Sequence, residues 1–351
     1  MIEITRGNLL EAETEAIVNT VNCVGYMGKG IALQFKQAFP DNFTAYQKAC
    51  KAGRVRPGQM FIHETSLMFN PKYIINFPTK RHWRGKSKLE DIRSGLAALV
   101  EDIRRLGIRS IAVPPLGCGL GGLDWQTVRR KIEEVFVQVP EVHVLLYAPV
   151  GTPDASKMPV RTVRPKMTTT RALFIKLMEQ YVFMAYRLTL LEIQKLAYFL
   201  QEAGEPLRLK YEKGHFGPYA ANLNKVLEIM EGHLIRGYGD SQKPDAEIEL
   251  LPGAIEVADE FLPGKDSSRN RLDRVSDLIE GFETPYGMEL LSSVHWLVVH
   301  DQPLVNIEDA AIDRIHEWSP RKYRMFKPNH IRIAWQRLKE QGWLAIASNH
   351  P

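Results

Sequence analysis

The chain has 351 residues, 44% hydrophobic and 25% charged, enough apolar material for a full core and, by length, for two domains rather than one. No run of 18 or more apolar residues occurs, and the chain enters a strand-like Ile2-Glu-Ile-Thr5 rather than a basic start with an apolar stretch, so neither a membrane span nor a secretory leader is expected and the location is expected to be cytoplasmic. The net charge of +5 is uneven: residues 1–160 hold 21 Lys/Arg against 15 Asp/Glu and residues 161–351 hold 25 against 26, which makes the first half the candidate for a polyanionic substrate.

In chain order, apolar strands are predicted at 15–20, 72–77, 108–113 and 142–148, with helical patterns between most of them. The first runs into Asn19-Thr-Val-Asn-Cys-Val-Gly-Tyr-Met-Gly-Lys-Gly-Ile-Ala32. Asn19 and Asn22 offer amides that donate and accept without adding charge, which suits a ribose diol. Gly25, Gly28 and Gly30 allow close backbone approach, and a helix opening near Gly30, anchored by Phe35, Ala38 and Phe39, directs N–H groups toward phosphate. The competing reading is an ordinary strand-to-helix turn braced by its asparagines.

Further on, Ser87 and Glu90 have capping-box spacing and open a helix with Ile92, Leu96, Leu99, Val100 and Ile103 on one face, stopped by Gly107. Strand 108–113 follows at once, a short connection that favours a doubly covered, mostly parallel sheet. Pro114 and Pro115 then lead into Gly117-Cys-Gly-Leu-Gly-Gly122, after which Asp124 is placed to cap a helix with Val128, Ile132 and Val135 inward. Two ligand-compatible loops at strand ends match the usual position of α/β binding sites. Neither has the spacing Gly-x-x-x-x-Gly-Lys-Ser/Thr or Gly-x-Gly-x-x-Gly, so ATP hydrolysis and hydride transfer are disfavoured.

Cys23, Cys50 and Cys118 have no paired spacing, and no histidine stands beside Cys23 or Cys118 to activate a thiol, so small weakly polar packing is the ordinary explanation for both. The histidines and carboxylates form no convincing metal-ligand set. Residues 151–171, with three prolines and no apolar period, read as a linker or as an ordered arm across the first domain. Beyond them the chain is mainly helical. Leu173, Leu177, Met178, Tyr181, Val182 and Ala185 form one apolar face, and Thr189 with Glu192 caps a helix carrying Ile193, Leu196, Ala197 and Leu200 inward. More helices are predicted at 219–234, 272–279, 290–298 and 331–338, and Gly342-Trp-Leu-Ala-Ile346 fits the short strand of a winged-helix-like element. Lys213-Gly-His-Phe-Gly-Pro-Tyr219 reads as a turn before a packed helix. Seven acidic residues between 240 and 260 accompany only Lys243, either as a solvated face or as carboxylates offered to a basic partner.

Three stretches carry a family resemblance: Ile4-Thr-Arg-Gly-Asn-Leu9, the segment from Ile17 to Ala32, and Pro114-Pro-Leu-Gly-Cys-Gly-Leu-Gly-Gly-Leu123. They resemble the macrodomain family, whose fold binds ADP-ribose. With Phe77-Pro-Thr-Lys80 and the helical second half, the whole chain is similar to the DarG antitoxin family of DarT–DarG systems. The resemblance implies an α/β, three-layer macrodomain with a mixed central sheet over 1–150, a linker over 151–171 and a mainly helical toxin-binding domain over 172–351. It also implies a DNA ADP-ribosyl glycohydrolase that frees a thymidine base of single-stranded DNA from ADP-ribose placed there by a DarT-like toxin. ADP-ribose is then substrate moiety and product, with no cofactor, no metal and no membrane.

Residue by residue, the resemblance makes Lys80 the catalytic lysine, Asn22 a contact to the distal ribose, and Gly28, Lys29, Gly30 and Ile31 the loop beside the diphosphate. Gly117, Cys118, Gly119, Leu120, Gly121 and Gly122 become the second phosphate-facing loop, and Asn8 stands where many macrodomains have an aspartate for the adenine amino group. Terminal ADP-ribose glycohydrolases also pair their lysine with an aspartate in the second loop, where this chain has Gly121. Lys80 either attacks the anomeric carbon as a free amine or stays protonated and steadies the departing base. His63 and His82 are candidate proton shuttles or surface residues, and Trp83, flanked by Arg81 and Arg84, either stacks on a DNA base or packs on its own domain. The rival functions are a noncatalytic ADP-ribose reader and a transcriptional antitoxin that binds duplex DNA through Arg321, Lys322, Arg324 and Lys327.

Overall fold

A computed structural model describes residues 1–149, 158–184, 188–239, 245–301 and 308–344. The chain divides into two compact units, Met1–Arg164 with Gly239–Gln242, and Pro165–Tyr238 with Lys243–Pro351. The division falls inside the stretch expected to be a linker. Residues 151–157 of that stretch lie outside the described residues, whereas Arg161 packs onto the first unit, donating its N–H to the Gln37 carbonyl and laying its guanidinium over the Phe39 ring.

The first unit runs β1 (Ile2–Thr5), β2 (Ala16–Asn22), α1 (Gly30–Ala38), α2 (Pro40–Lys51), β3 (Phe61–Glu64), β4 (Tyr73–Lys80), α3 (Leu89–Leu106), β5 (Ser110–Val113), α4 (Trp125–Phe136) and β6 (His143–Tyr147). Its strands order as β1-β6-β5-β2-β4-β3, with every pairing parallel except the antiparallel β3–β4 edge, so the sheet is mixed. Alternation along the strands sorts the layers. Ala16, Val18, Ile75, Phe77, Ile111 and Val113 pack with Ile92, Leu96 and Leu99 of α3 and Val128 and Ile132 of α4, while Ile17, Ile74 and Ala112 pack with Phe35 of α1. The strand expectations hold. β3 has no counterpart among them: Phe61-Ile-His-Glu64 shows neither a sustained apolar run nor a clear alternation.

Two local expectations fail. β4 does not stop at Pro78 but continues to Lys80; β3 reaches only to the level of Asn76, so the missing N–H of Pro78 removes no bond to that neighbour. Ser87 does not cap α3. That helix starts two residues later, with Lys88 as its cap and no side-chain hydrogen bond, because the Ser87 N–H is drawn to the Gly121 carbonyl in the second loop. Gly107, at φ +66°, ends α3 in the left-handed conformation, and Asp124 caps α4 by accepting from the Thr127 N–H at 2.8 Å.

The second unit contains α5 (Thr169–Met184), α6 (Leu190–Glu202), β7 (Tyr211–Gly214), β8 (Gly217–Ala220), α7 (Leu223–Met230), β9 (Ile235–Arg236), β10 (Glu249–Leu250), α8 (Ala254–Phe261), α9 (Asp266–Ile279), α10 (Pro285–His300), α11 (Glu308–Trp318), α12 (Pro320–Met325) and α13 (Pro328–Glu340). Thr189 and Glu192 form the expected capping box of α6. Val182, assigned to the buried face of α5, is 45% exposed, and Ala185 lies outside the described residues. The segment 213–219 is not a turn into a helix. β7 and β8 form a hairpin in which Gly214 pairs with Gly217 around His215 and Phe216, with Gly217 at φ +89°. Gly342 to Leu344 form no strand, and Ala345 and Ile346 lie outside the described residues.

α10 runs through the core of this unit and buries polar as well as apolar residues. Its Glu289 accepts both guanidinium nitrogens of Arg321 (2.6 and 2.9 Å) and the Lys322 ammonium (2.7 Å), and Lys322 also donates to the Ser293 hydroxyl. Lys195 of α6, fully buried, donates to the Pro218 carbonyl at 2.6 Å and so holds the hairpin; burial and the nearby Lys322 push it down to about 7.

Candidate functional site

The loops after β2, β4 and β5 lie at the carboxyl ends of parallel strands, where α/β sheets bind ligands. Lys80 is the last residue of β4 and stands in register with Asn22, the last residue of β2. Its ammonium donates to the Leu120 carbonyl of the second loop at 2.6 Å. The structure thus brings together Asn22, Lys80 and Leu120, from three separate parts of the sequence. Burial and the neighbouring Lys86 hold the Lys80 amine below the ordinary lysine value, and among the described residues no carboxylate pairs with it. A lysine in that setting gives up a proton more readily and becomes a better nucleophile.

The asparagines divide differently from the expectation. Asn19 is fully buried: its amide donates to Asn76, which exchanges hydrogen bonds with Asn42, and the three form a polar floor beneath the site rather than a contact surface. Asn22 spends its amide on the loop, accepting from the Val24 and Tyr26 N–H groups and donating to the Tyr26 carbonyl at 2.5 Å, while the Tyr46 hydroxyl donates to its carbonyl. Its side chain therefore fixes the shape of the first loop. Asn8 accepts from the Leu10 N–H and donates to Glu11, capping a short turn at residues 9–11.

Gly28 and Gly30 lie on this loop at the start of α1, with Lys29 between them as the helix cap and Ile31 in the first turn. Gly30 has φ +59°, and its N–H donates to the carbonyl of Gly239, a residue grouped with this same unit. A Cβ on Gly28 would lie 2.5 Å from the Tyr26 ring. In the second loop Gly117 (φ +71°) and Gly122 (φ +78°) turn the chain, Gly119 is open, and the Cys118 thiol donates to the Leu116 carbonyl. Gly121 is tightly confined: a Cβ there would lie 2.2 Å from both the Gly117 carbonyl and the Ser87 hydroxyl. An aspartate partner for Lys80 cannot stand at 121 without moving the backbone. The Ser87 hydroxyl is itself buried without a hydrogen-bond partner, facing this loop.

Other candidates separate from the site. His63 pairs with Ile74, six residues before Lys80 along β4, or roughly 20 Å of strand. His82 is exposed and stacks on Trp83, accepting from the Arg84 N–H. Arg81 turns away to make a two-pronged ion pair with the buried Asp91, so it is not a free phosphate contact. Burial pushes the Cys23 and Cys118 thiols up to about 11, which opposes a reactive thiolate. Among the described residues, no three His, Cys, Asp or Glu side chains gather in a metal-holding group, and no helix is long and apolar enough to cross a membrane. The sequence reading missed Tyr46, Asn42, Asn76 and Lys86. Only Lys86 carried a signal, as one more cation in the run that follows Lys80.

The Macro domain family model matches residues 18–132. The DNA ADP-ribosyl glycohydrolase of Thermus aquaticus is 46% identical over 347 residues, covering 98% of this chain and 94% of that protein. The DNA ADP-ribosyl glycohydrolase of Mycobacterium tuberculosis is 42% identical, covering 96% and 99%. A DNA ADP-ribosyl transferase-DNA ADP-ribosyl glycohydrolase fusion protein of Thermosipho africanus is 34% identical over 175 residues, 45% of each chain.

Proposed function

The chain belongs to the DNA ADP-ribosyl glycohydrolase family, and from that premise we propose that its first unit removes ADP-ribose from a thymidine base of single-stranded DNA while its second unit binds and inhibits a partner ADP-ribosyltransferase toxin. The observation that carries the catalytic part is Lys80: an amine with a lowered pKa, set between the ends of β2 and the second loop and without a carboxylate partner among the described residues.

In this reaction the loops at 28–31 and 117–122 hold the diphosphate, and the amine of Lys80 attacks the anomeric carbon of the distal ribose. A carbon–nitrogen bond forms as the bond to thymine breaks. The electron pair leaves with the base, which takes up a proton, and water then displaces the lysine to give free ADP-ribose. A lowered pKa is the direction this route needs. Water is the only cosubstrate of this reaction, with no metal and no cofactor.

A transferase partner is supported by the relative whose name joins transferase and glycohydrolase in one fusion protein, which matches 45% of this chain; its capture by the second unit is the proposal. A duplex-binding role for the second unit finds less support, because Lys322 is buried on Glu289 and Ser293 and Arg321 is paired with Glu289, which leaves only half of the expected basic face. The test is release of ADP-ribose from a thymidine-modified single-stranded oligonucleotide, followed by mass spectrometry. Wild type should release it and Lys80→Ala should lose at least about a thousandfold in rate while still binding ADP-ribose. Binding without turnover by wild type would leave a reader.

A further inference from the structure

Beside Lys80 lies a group of rings that the glycohydrolase chemistry does not use. Tyr26, on the first loop, and Trp83, three residues after Lys80, are 41% and 39% exposed with ring centroids 5.6 Å apart. His82 stacks on Trp83 at 5.4 Å, and the Arg84 guanidinium lies 4.5 Å from the Trp83 ring. The two loops are held at one place by the pairing of Asn22 with Lys80, and Tyr26 is fixed to Asn22 through its own N–H and carbonyl. Large aromatic surfaces left partly in water at a catalytic rim require a reason, because covering them is favourable.

The charges nearby narrow the choice of occupant. Arg81 is committed to Asp91, but among the described residues neither Arg84 nor Lys86 pairs with a carboxylate. Exposed rings interleaved with unpaired cations suit a chain of flat bases joined by phosphates. Paired bases in a duplex do not present a free face to such a row, whereas unpaired ones do.

We propose that Tyr26 and Trp83 form a stacking platform for an unpaired base of the DNA strand next to the modified one, with Arg84 and Lys86 holding its phosphates, so that the ADP-ribosylated base is delivered to Lys80. The platform rests on the proposed glycohydrolase reading, and it makes single-stranded DNA the preferred form of substrate. Trp83 lies outside the ADP-ribose loops and Tyr26 borders the first of them at Gly28, so the platform adds affinity for the strand beside the sugar site.

The full chain, Trp83→Ala, Trp83→Phe and Tyr26→Ala are compared for binding of an unmodified single-stranded oligonucleotide by fluorescence anisotropy and of ADP-ribose by calorimetry, with KM and kcat on the modified oligonucleotide. Trp83→Ala should weaken oligonucleotide binding by about five- to a hundredfold, the range of one lost base–aromatic stack, and raise KM more than it lowers kcat. Trp83→Phe should keep most of the affinity, Tyr26→Ala should weaken oligonucleotide binding as Trp83→Ala does, and ADP-ribose binding by the two Trp83 variants should stay within about twofold of wild type. Unchanged oligonucleotide binding by Trp83→Ala, or an equal loss of ADP-ribose binding, overturns the platform. If wild type binds the oligonucleotide through Trp83 yet releases no ADP-ribose, the platform stands and the glycohydrolase reading falls.

Discussion

Lys80 and Lys322 are two lysines, the first partly buried at the loop ends of the first unit and the second fully buried in the core of the other, and they differ in what faces them. Lys322 is fully buried against Glu289 and Ser293, and Arg321 shares the same carboxylate. Although burial opposes it, hydrogen bonds from Arg321 and Lys322 hold the Glu289 carboxyl below its usual range. Lys80 meets a carbonyl and, nearby, another cation. The fully buried Lys322, given a carboxylate, is part of the fold; Lys80, only partly buried and given a carbonyl, stays where a ligand can reach it. Sequence position does not distinguish the two, since both lie in runs of basic residues.

The sharpest way to break this contrast is Glu289→Ala, which leaves Arg321 and Lys322 beside an empty space in the core. Unfolding of the second unit, followed by denaturant titration, should show a loss of about 3–5 kcal/mol. A loss below about 1 kcal/mol would mean that the network is not organised around this carboxylate. Gly121→Asp tests the other side by restoring the aspartate that related lysine sites use. Its Cβ meets the Gly117 carbonyl and Ser87, so stability should fall by about 1–3 kcal/mol and calorimetry should show weaker ADP-ribose binding, not a gain in activity.

The pH profile sharpens the role of Lys80. The free amine is the reactive form in the nucleophilic route, so the rate should climb with pH up to the lysine's pKa, which lies below its ordinary 10.5, and then level off. A protonated role would give a falling limb instead. Lys86→Met removes the like charge and should move the limb to higher pH, lowering the rate near neutrality by about two- to fivefold, the size of one solvent-screened charge interaction. Turnover of ADP-ribosyl thymidine leaves any strand contact out of that measurement. The smallest effect expected is on stability: Lys80→Met should unfold within about 0.5 kcal/mol of wild type, because no ion pair is lost.

What the sequence made legible follows the same division. Strands β2, β4, β5 and β6, the stop at Gly107, the cap at Asp124 and both glycine loops could be read because each depends on local pattern or on a single residue's conformational needs. The capping box at Ser87 and the free basic face at Arg321 and Lys322 failed, and the burial of Asn19 was not foreseen, for one reason. Each residue has a partner distant in sequence, respectively Gly121, Glu289 and Asn76. Lys80 was reached through a motif, and its lack of a carboxylate partner emerged only with the fold.

The β2–β4 ladder pairs Val21 with Pro78 and then Asn22 with Lys80, passing over Thr79, whose buried hydroxyl donates to the Val21 carbonyl. Because side chains along a strand point to opposite faces in turn, that one extra residue sets the side of the sheet on which Lys80 arrives. Length is therefore guarded here more strictly than composition. A point change at Thr79 leaves the amine in step, whereas deletion of a single residue between 73 and 79 would carry it through to the opposite layer, so a descendant of this chain can vary the wording of the segment but not its count.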